Sequence, residues 1–184
     1  MPVRPDFDPN HLYFITTTAT KRAHLFRRDI IKRIIIDSLD FMRAVSWVSL
    51  FAFVVMPNHV HCIVRFLGDH TLSGVMRDFK KHTSRQIIRQ YQAEKNDQAL
   101  GFLALAAEGV PDQRFKVWED GYDARDVFSA AFLRQKVEYI HNNPCQSHWM
   151  LAERPEDYTW SSARYYLLGQ PAIIFVDDAS EWLS

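Results

Sequence analysis

The sequence predicts an α+β fold, an antiparallel sheet with helices packed on one of its faces. Segments rich in β-branched and aromatic residues alternate with segments whose apolar residues have helical spacing. One pair of apolar strands is joined by the turn residues Pro57 and Asn58, which predicts an antiparallel hairpin. The resulting order is strand, helix, hairpin, helix, strand, helix. It fits the split βαβ arrangement of ferredoxin-like folds.

The elements of the first half follow from their composition. Residues 11–20, HLYFITTTAT, are typical of a strand, and residues 29–45 have apolar side chains at helical spacing. The charge-poor segment 46–56 predicts a second strand, and HVHCIVRF, residues 59–66, predicts the strand that returns from it. Residues 72–91 predict an amphipathic helix.

The second half is less regular. Residues 92–112 predict a loop with one short apolar patch, and residues 115–123 predict a short strand or an extended segment. Residues 129–142, SAAFLRQKVEYIHN, predict a third helix. The pair Asn143-Pro144 ends this helix, because a residue that precedes proline is driven out of the α region.

Composition limits the class of protein. The chain has 184 residues, 47% of them hydrophobic, which suits one globular domain, or one domain with a tail. We expect the domain over residues 1–170 and the C-terminal tail over residues 171–184. The 22 basic and 22 acidic residues give zero net charge, so any basic surface must be local. The chain has two cysteines and no apolar stretch of the ~20 residues that a membrane helix needs. These observations favour a cytoplasmic protein without a disulfide framework or a membrane partner.

The stretch VVMPNHVHCIVR places two histidines on an otherwise apolar strand. Residues i and i+2 of a strand point to the same face, so His59 and His61 lie side by side, whereas Val60 and Cys62 point into the core. Two neutral imidazoles on a rigid strand can chelate one divalent metal. The alternative is a histidine pair without a function, but two unpaired imidazoles in aliphatic surroundings would carry a desolvation cost.

The third predicted helix carries residues that suit such a site. Tyr139 and Asn143 are four residues apart and share a helix face, so Tyr139 could be a nucleophile and Asn143 an oxygen ligand beside it. The alternative for Tyr139 is a packed residue with its ring inward and its hydroxyl in water. His141 points away from Tyr139, at ~100° per residue, and is a poorer candidate.

Three stretches, MPNHVHCIV, VEYIHNNP and RPEDYTWSSARYY, together resemble the single-tyrosine HUH transposases, above all the REP-associated tyrosine transposases. The resemblance runs from about residue 10 to about residue 170. It implies the HUH nuclease fold, with Tyr139 as the nucleophile. It also implies His59, His61 and Asn143 as the ligands of a divalent metal, Mg²⁺ or Mn²⁺.

The activity that this resemblance implies is that of a metal-dependent single-stranded DNA endonuclease and strand transferase. Tyr139 would release a DNA 3′-hydroxyl and keep a 5′-phosphotyrosyl link, whose stored energy allows rejoining without ATP. The implied partner is single-stranded DNA beside a hairpin or palindromic repeat. The protein would act as a monomer or homodimer in the cytoplasm, in association with the nucleoid.

The predicted helix 72–91 is the strongest local basic patch. It is either an ordinary solvated surface or a contact for the DNA backbone, and the predicted phosphate contacts are Arg77, Lys80, Lys81 and Arg85. Trp118 and Tyr122 could stack on unpaired bases, although a core position is favoured for Trp118.

Two other functions fit the same residues. One is a catalytically inactive, transposase-derived regulator that binds nucleic acid, and the other is a small metallohydrolase that uses bound water. The intact set of His59, His61, Tyr139 and Asn143 argues against the inactive regulator. A covalent protein–DNA adduct would separate the transferase from both alternatives.

Overall fold

The computed structural model describes residues 7–183 and contains one four-stranded antiparallel sheet in that part of the chain. The strands are β1 (Leu12–Thr18), β2 (Val48–Val55), β3 (His59–Phe66) and β4 (Asp123–Val127). Their order across the sheet is β2-β3-β1-β4, and each neighbouring pair is antiparallel. This is the order of a split βαβ arrangement, so the predicted α+β, ferredoxin-like class is confirmed.

Six α-helices lie within the described residues. They are α1 (Asp29–Ala44), α2 (Leu72–Ala93), α3 (Asp97–Ala106), α4 (Ala130–Asn142), α5 (Ala163–Leu168) and α6 (Ser180–Leu183). The helix that carries the candidate nucleophile is α4, and Ser129 is its N-cap. The Ser129 Oγ accepts a hydrogen bond from the Phe132 N–H at 3.2 Å. Such N-caps satisfy an amide that has no partner within the helix. No helix in residues 7–183 combines the length and the apolarity that a membrane crossing requires.

The helices pack on both faces of the sheet, and the prediction of a single covered face is wrong. Helices α1 and α2 cover the face that carries Ile15 and Val60. Helix α4 covers the opposite face, which carries Phe14 and Ile63. All four residues from Leu12 to Ile15 of β1 are apolar and buried, and β2 is apolar at every position except Ser49, a pattern that is typical of strands buried on both sides.

The predicted loop over residues 92–112 is wrong at its centre, where α3 forms. The side chain of Asn96 caps this helix by accepting a hydrogen bond from the Ala99 N–H at 3.0 Å, and Leu103 is fully buried. The last strand, β4, begins at Asp123, where the predicted extended segment ends, and Trp118 forms only an isolated bridge with Ala19. The sequence of β4, DARDV, has three charged residues and only one buried residue, Val127, so a search for apolar strands missed it.

Residues that follow α4 return to the free edge of β2. Ser161 forms an isolated bridge with Val54, and the Asp177 carboxylate accepts a hydrogen bond from the Leu50 N–H at 2.8 Å. Val176 is buried in the core. Covering an edge strand in this way protects its backbone groups from pairing with another chain. The boundary between a domain at 1–170 and a tail at 171–184 stays a prediction.

Candidate active site

A cavity of about 310 Å³ lies where β1 and β3 face the C-terminal end of α4. It contains all four residues that the sequence predicted for metal binding and catalysis. The lining residues are Thr16, Thr18, Arg22, Asn58, His59, His61, Tyr139, Asn143, Gln146, His148 and Trp149.

The two histidines project from β3 on the face of the sheet that α4 covers. Their ring centroids are 4.6 Å apart, while Val60 and Cys62 are buried in the core on the other face, as predicted. His61 is buried, and the pairing of β1 with β3 places Thr16 opposite it. The period of two along a strand therefore brings both imidazoles to one wall of the cavity.

Neighbouring polar groups fix the orientation of each imidazole. The Asn58 amide donates from Nδ2 to the Arg22 carbonyl at 3.0 Å, so its Oδ1 faces the Nδ1 of His59 at 2.6 Å. Because an amide oxygen only accepts, Nδ1 of His59 carries the proton and Nε2 keeps a lone pair. In His61, Nδ1 lies 2.8 Å from Thr16 Oγ1, and Nε2 is buried without a partner.

The surroundings keep both imidazoles neutral. Burial lowers the pKa of His59 to about 4, and this effect outweighs that of the nearby Asn143 side chain, which acts in the opposite direction. Burial lowers the pKa of His61 to about 3, and the nearby His59 and Lys136 act in the same direction. Neutral imidazoles are the form that binds metal ions.

The end of α4 brings Tyr139 and Asn143 to the same cavity. Asn143 stays in the α region, at φ −55° and ψ −45°, so the prediction that Pro144 drives it out of that region is wrong. The spacing of four residues therefore keeps the two side chains on one face. Its Oδ1 is buried and has no hydrogen-bond partner. Tyr139 is 41% exposed, and its ring meets the ring of His61 edge to face at 5.2 Å.

These donors fit a divalent metal. A buried polar atom without a partner costs about 1–3 kcal/mol, and both Nε2 of His61 and Oδ1 of Asn143 are in that state. No group of three or more His, Cys, Asp or Glu side chains within residues 7–183 is arranged to hold a metal. Two imidazoles and an amide oxygen suit Mg²⁺ or Mn²⁺, and the same ligand types also suit zinc, nickel or cobalt.

Several residues of the cavity were not identified from the sequence. Arg22 follows Lys21 in a turn where both residues have positive φ values, 51° and 52°, a conformation that no sequence pattern announced. His148 and Trp149 follow the Asn143-Pro144 pair closely, and the Trp149 ring lies 5.9 Å from the ring of His59. The only available signal was their short distance along the chain from the predicted metal ligand.

The predicted phosphate-binding residues of α2 lie away from the cavity, because α2 covers the opposite face of the sheet. Arg77, Lys81 and Arg85 are exposed, and Arg77 pairs with Asp78 at 3.0 Å. Lys80 instead donates to the backbone carbonyls of Glu119, at 2.6 Å, and Gly121. A role for these four residues in DNA binding stays a prediction.

The two aromatic candidates for base stacking differ in burial. Trp118 is buried against Phe26, and its Nε1 donates to Thr83 Oγ1 at 3.0 Å, so it occupies the core position that was favoured for it. Tyr122 is partly exposed.

A family model described as IS200-like transposase matches residues 9–103, slightly more than half of the chain. The chain belongs to the IS200-like transposase family. The matched segment contains both histidines and ends before α4, so Tyr139 and Asn143 join the site from outside it. Membership in a family of transposases makes this chain a DNA-processing enzyme. HUH transposases generally use a divalent metal, which agrees with the donors in the cavity.

The solved structures that are similar to this IS200-like transposase include two transposases. One is a REP-associated tyrosine transposase bound to a REP hairpin, with a TM-score of 0.62, 20% identity and coverage of 97% of this chain and 92% of that chain. Another is described as a candidate transposase from Deinococcus radiodurans, with a TM-score of 0.47 and 18% identity. This similarity covers 77% of the present chain and 98% of that chain. The first similarity confirms the HUH fold that the resemblance implied. No curated protein is significantly similar to this chain in sequence.

Proposed function

We propose that this transposase is a metal-dependent single-stranded DNA endonuclease and strand transferase in which Tyr139 is the nucleophile. One observation carries the proposal. The partly exposed Tyr139 lies 5.2 Å, ring to ring, from His61 in a cavity where two buried ligand atoms lack partners. A tyrosine that is packed only for stability would not need a cavity with two buried, unpartnered polar atoms beside its ring.

The metal ligands in this proposal are His59, His61 and Asn143, and the ion is Mg²⁺ or Mn²⁺. When bound, such an ion neutralises charge on a non-bridging phosphate oxygen. The ligand atoms are held in place by the protein itself, since Asn58 and Thr16 contact the far nitrogens of the two imidazoles. Partners of this kind orient metal-binding histidines in general.

Tyr139 supplies the bond-forming atom. Its hydroxyl oxygen attacks phosphorus while the bond from phosphorus to the DNA 3′-oxygen breaks. The phenolic proton passes to water, which reaches the partly exposed side chain, and the leaving 3′-oxygen takes up a proton from water. The product is a 5′-phosphotyrosyl link that conserves the energy of the broken phosphodiester bond. A second 3′-hydroxyl can therefore reverse the reaction without ATP.

The substrate in this proposal is single-stranded DNA beside a hairpin, such as the hairpin of a palindromic repeat. The protein would meet this DNA at the nucleoid. The cavity lies between a strand and a helix, and a lone DNA strand can bend its backbone into that space. A duplex holds its phosphates on a stiff helical track. The hairpin-bound transposase of the same fold supports a hairpin as the neighbouring element.

A labelled oligonucleotide that carries a hairpin and a single-stranded extension tests the proposal. It is incubated with the protein and Mg²⁺ or Mn²⁺ and compared with the same strand annealed to its full complement. We expect a covalent adduct on a denaturing gel with the single-stranded form alone. Equal reaction with the duplex would contradict the substrate, cleavage without an adduct would favour a metallohydrolase, and binding without cleavage would favour a regulator.

A further inference from the structure

A ridge of side chains leads along α4 to the candidate nucleophile. We call Phe128, Phe132, Lys136 and Tyr139 the α4 ridge. The rings of Phe128 and Phe132 are stacked, with centroids 5.2 Å apart and an interplanar angle of 14°. The Lys136 Nζ lies 5.1 Å from the ring of Phe132 and 5.4 Å from the ring of Tyr139. The four side chains are thus in contact from the exposed end of the ridge to the cavity.

We propose that the α4 ridge is the path of the single-stranded DNA next to the scissile phosphate. Bases stack on Phe128 and Phe132, and Lys136 binds a backbone phosphate. The inference rests on the proposed function, since it places the cut at Tyr139, but it assigns a surface and residues that the proposed chemistry does not use.

The exposure of the two phenylalanines supports a stacking role. Phe128 is 77% exposed and directly follows the edge strand β4, while Phe132 is partly buried against the core below α4. An exposed aromatic residue alone would be ordinary. A parallel pair that Lys136 connects to the candidate nucleophile matches the platforms on which proteins stack unpaired bases, a mode that tolerates any sequence.

Lys136 supplies the charge that a DNA backbone needs. Its ammonium group lies over the rings of Phe14, Phe132 and Tyr139. Among the described residues it forms no ion pair with a carboxylate. Asp123 attracts Lys136 but forms its salt bridge with Arg125, so Lys136 can accept a phosphate without breaking an existing salt bridge.

The dimensions of the ridge suit a short stretch of DNA. Phe132 and Tyr139 are seven positions apart on one helix, which corresponds to about 10 Å at ~1.5 Å per residue. For a single strand that keeps the stacked spacing of a duplex, ~3.4 Å per nucleotide, this is room for about three nucleotides. A strand whose scissile phosphate is at Tyr139 therefore reaches Phe132 and Phe128 with its next few bases.

A second copy of the chain is a poorer occupant of this surface. Two aromatic side chains bury at most ~150–250 Å² each, whereas a stable interface buries ~1,200 Å² or more. The adjacent edge strand β4 is charged, and its Arg125 pairs with Asp123 at 3.2 Å. Charged edge strands disfavour pairing with another sheet.

The test measures DNA affinity in EDTA, so that no cleavage occurs, with two fluorescent probes. One probe is a hairpin with a single-stranded extension and the other is the same hairpin without it. Phe128→Ala and Phe128→Ala/Phe132→Ala are compared with Phe41→Ala, which removes a 55% exposed aromatic side chain from α1 on the other face of the sheet. Phe128 is so exposed that Phe128→Ala should stay folded. The single variant therefore still tests the proposal if the double variant unfolds.

We expect each lost ring to weaken binding of the extended hairpin by about tenfold, with no change for the bare hairpin or for Phe41→Ala. In Lys136→Gln, the slope of log K for DNA binding against log salt concentration should become smaller by ~0.7, the value for one phosphate contact with a single strand. Lys136→Arg keeps the charge and should have the slope of the wild type. Equal affinities of the wild type and the Phe128 variants would overturn the proposal. So would a wild-type dimer that Phe128→Ala dissociates without a change in DNA affinity.

The outcome is separable from the proposed function. If the wild type forms no covalent adduct but the Phe128 variants lose affinity for the extension, the DNA path stands and the strand-transfer chemistry fails. If the wild type forms the adduct and the Phe128 variants bind DNA normally, the chemistry stands and the path is wrong.

Discussion

The rings of His61 and Tyr139 meet edge to face at 5.2 Å, although one belongs to the central strand β3 and the other to α4, from the second half of the chain. Phe14 packs against both rings, at 5.3 Å from His61 and 6.0 Å from Tyr139. The fold thus holds a candidate metal ligand and a candidate nucleophile in fixed relative positions. Both side chains line the same cavity, which is where a phosphate could reach them.

Replacing either histidine should remove the metal-dependent reaction. His59→Ala and His61→Ala each delete one neutral imidazole, so we expect adduct formation to fall by a factor of ~100 or more while the protein stays folded. The measurement is adduct yield against Mn²⁺ concentration, together with a thermal unfolding curve. His82→Ala, at an exposed position of α2, is the matched control. Full activity of the wild type in excess EDTA would show that no metal is involved.

Two variants of Asn143 distinguish a role as a metal ligand from a role in packing alone. Asn143→Ala removes the buried Oδ1 and should weaken Mn²⁺ binding by about tenfold or more. Asn143→Asp keeps an oxygen at this position, and carboxylates suit Mn²⁺, so metal affinity should be retained. Calorimetric titration with Mn²⁺ measures both values. Equal Mn²⁺ affinities of Asn143→Ala and the wild type would exclude Asn143 as a ligand.

The predictable part of the site is the part fixed by regular periods. The period of two along β3 was enough to pair His59 with His61, and the helical period of α4 was enough to pair Tyr139 with Asn143. The face of the sheet that α4 covers could not be predicted, because β1 is apolar on both sides and suits a helix on either.

Other parts of the structure depend on features without a local signal. Arg22 reaches the cavity through a turn with positive φ at a lysine and an arginine, residues that do not announce that conformation. The strand β4 was hidden by its charges, which its position at the sheet edge tolerates. Helix α3 had a capping residue, Asn96, but its apolar segment was too short to show a clear period.

Ser162 connects the helix of Tyr139 to the edge strand, and its removal should destabilise the protein. Its Oγ accepts a hydrogen bond from the Phe53 N–H at 3.0 Å and lies 2.8 Å from Nε2 of the buried His141. Ser162→Ala leaves both groups buried without a partner, so we expect the free energy of unfolding to fall by about 2 kcal/mol. Urea denaturation measures the change, with the exposed Ser73→Ala as the control. Equal stability of the two variants would contradict this account.

Lys80 should give the stability a distinctive dependence on alkaline pH. Burial lowers the pKa of its ammonium group to about 8, below its ordinary value of 10.5. Between these values the unfolded state binds more protons than the folded state, so this group makes stability rise with pH from about 8 to about 10.5. Urea denaturation at pH 7.5 and 9.5 should show the wild type gaining stability relative to Lys80→Met. Parallel pH profiles of the two proteins would show that Lys80 has an ordinary pKa.

The most direct test of the central claim is covalent adduct formation by Tyr139→Phe on a hairpin with a single-stranded extension. The substitution removes only the hydroxyl oxygen and keeps the ring against His61, so DNA binding and stability should match the wild type. Tyr122→Phe is the matched control, because Tyr122 is another partly exposed tyrosine and does not line the cavity. The account predicts no adduct with Tyr139→Phe and a normal yield with Tyr122→Phe. An adduct that persists in Tyr139→Phe would place the nucleophile elsewhere and contradict the proposed mechanism.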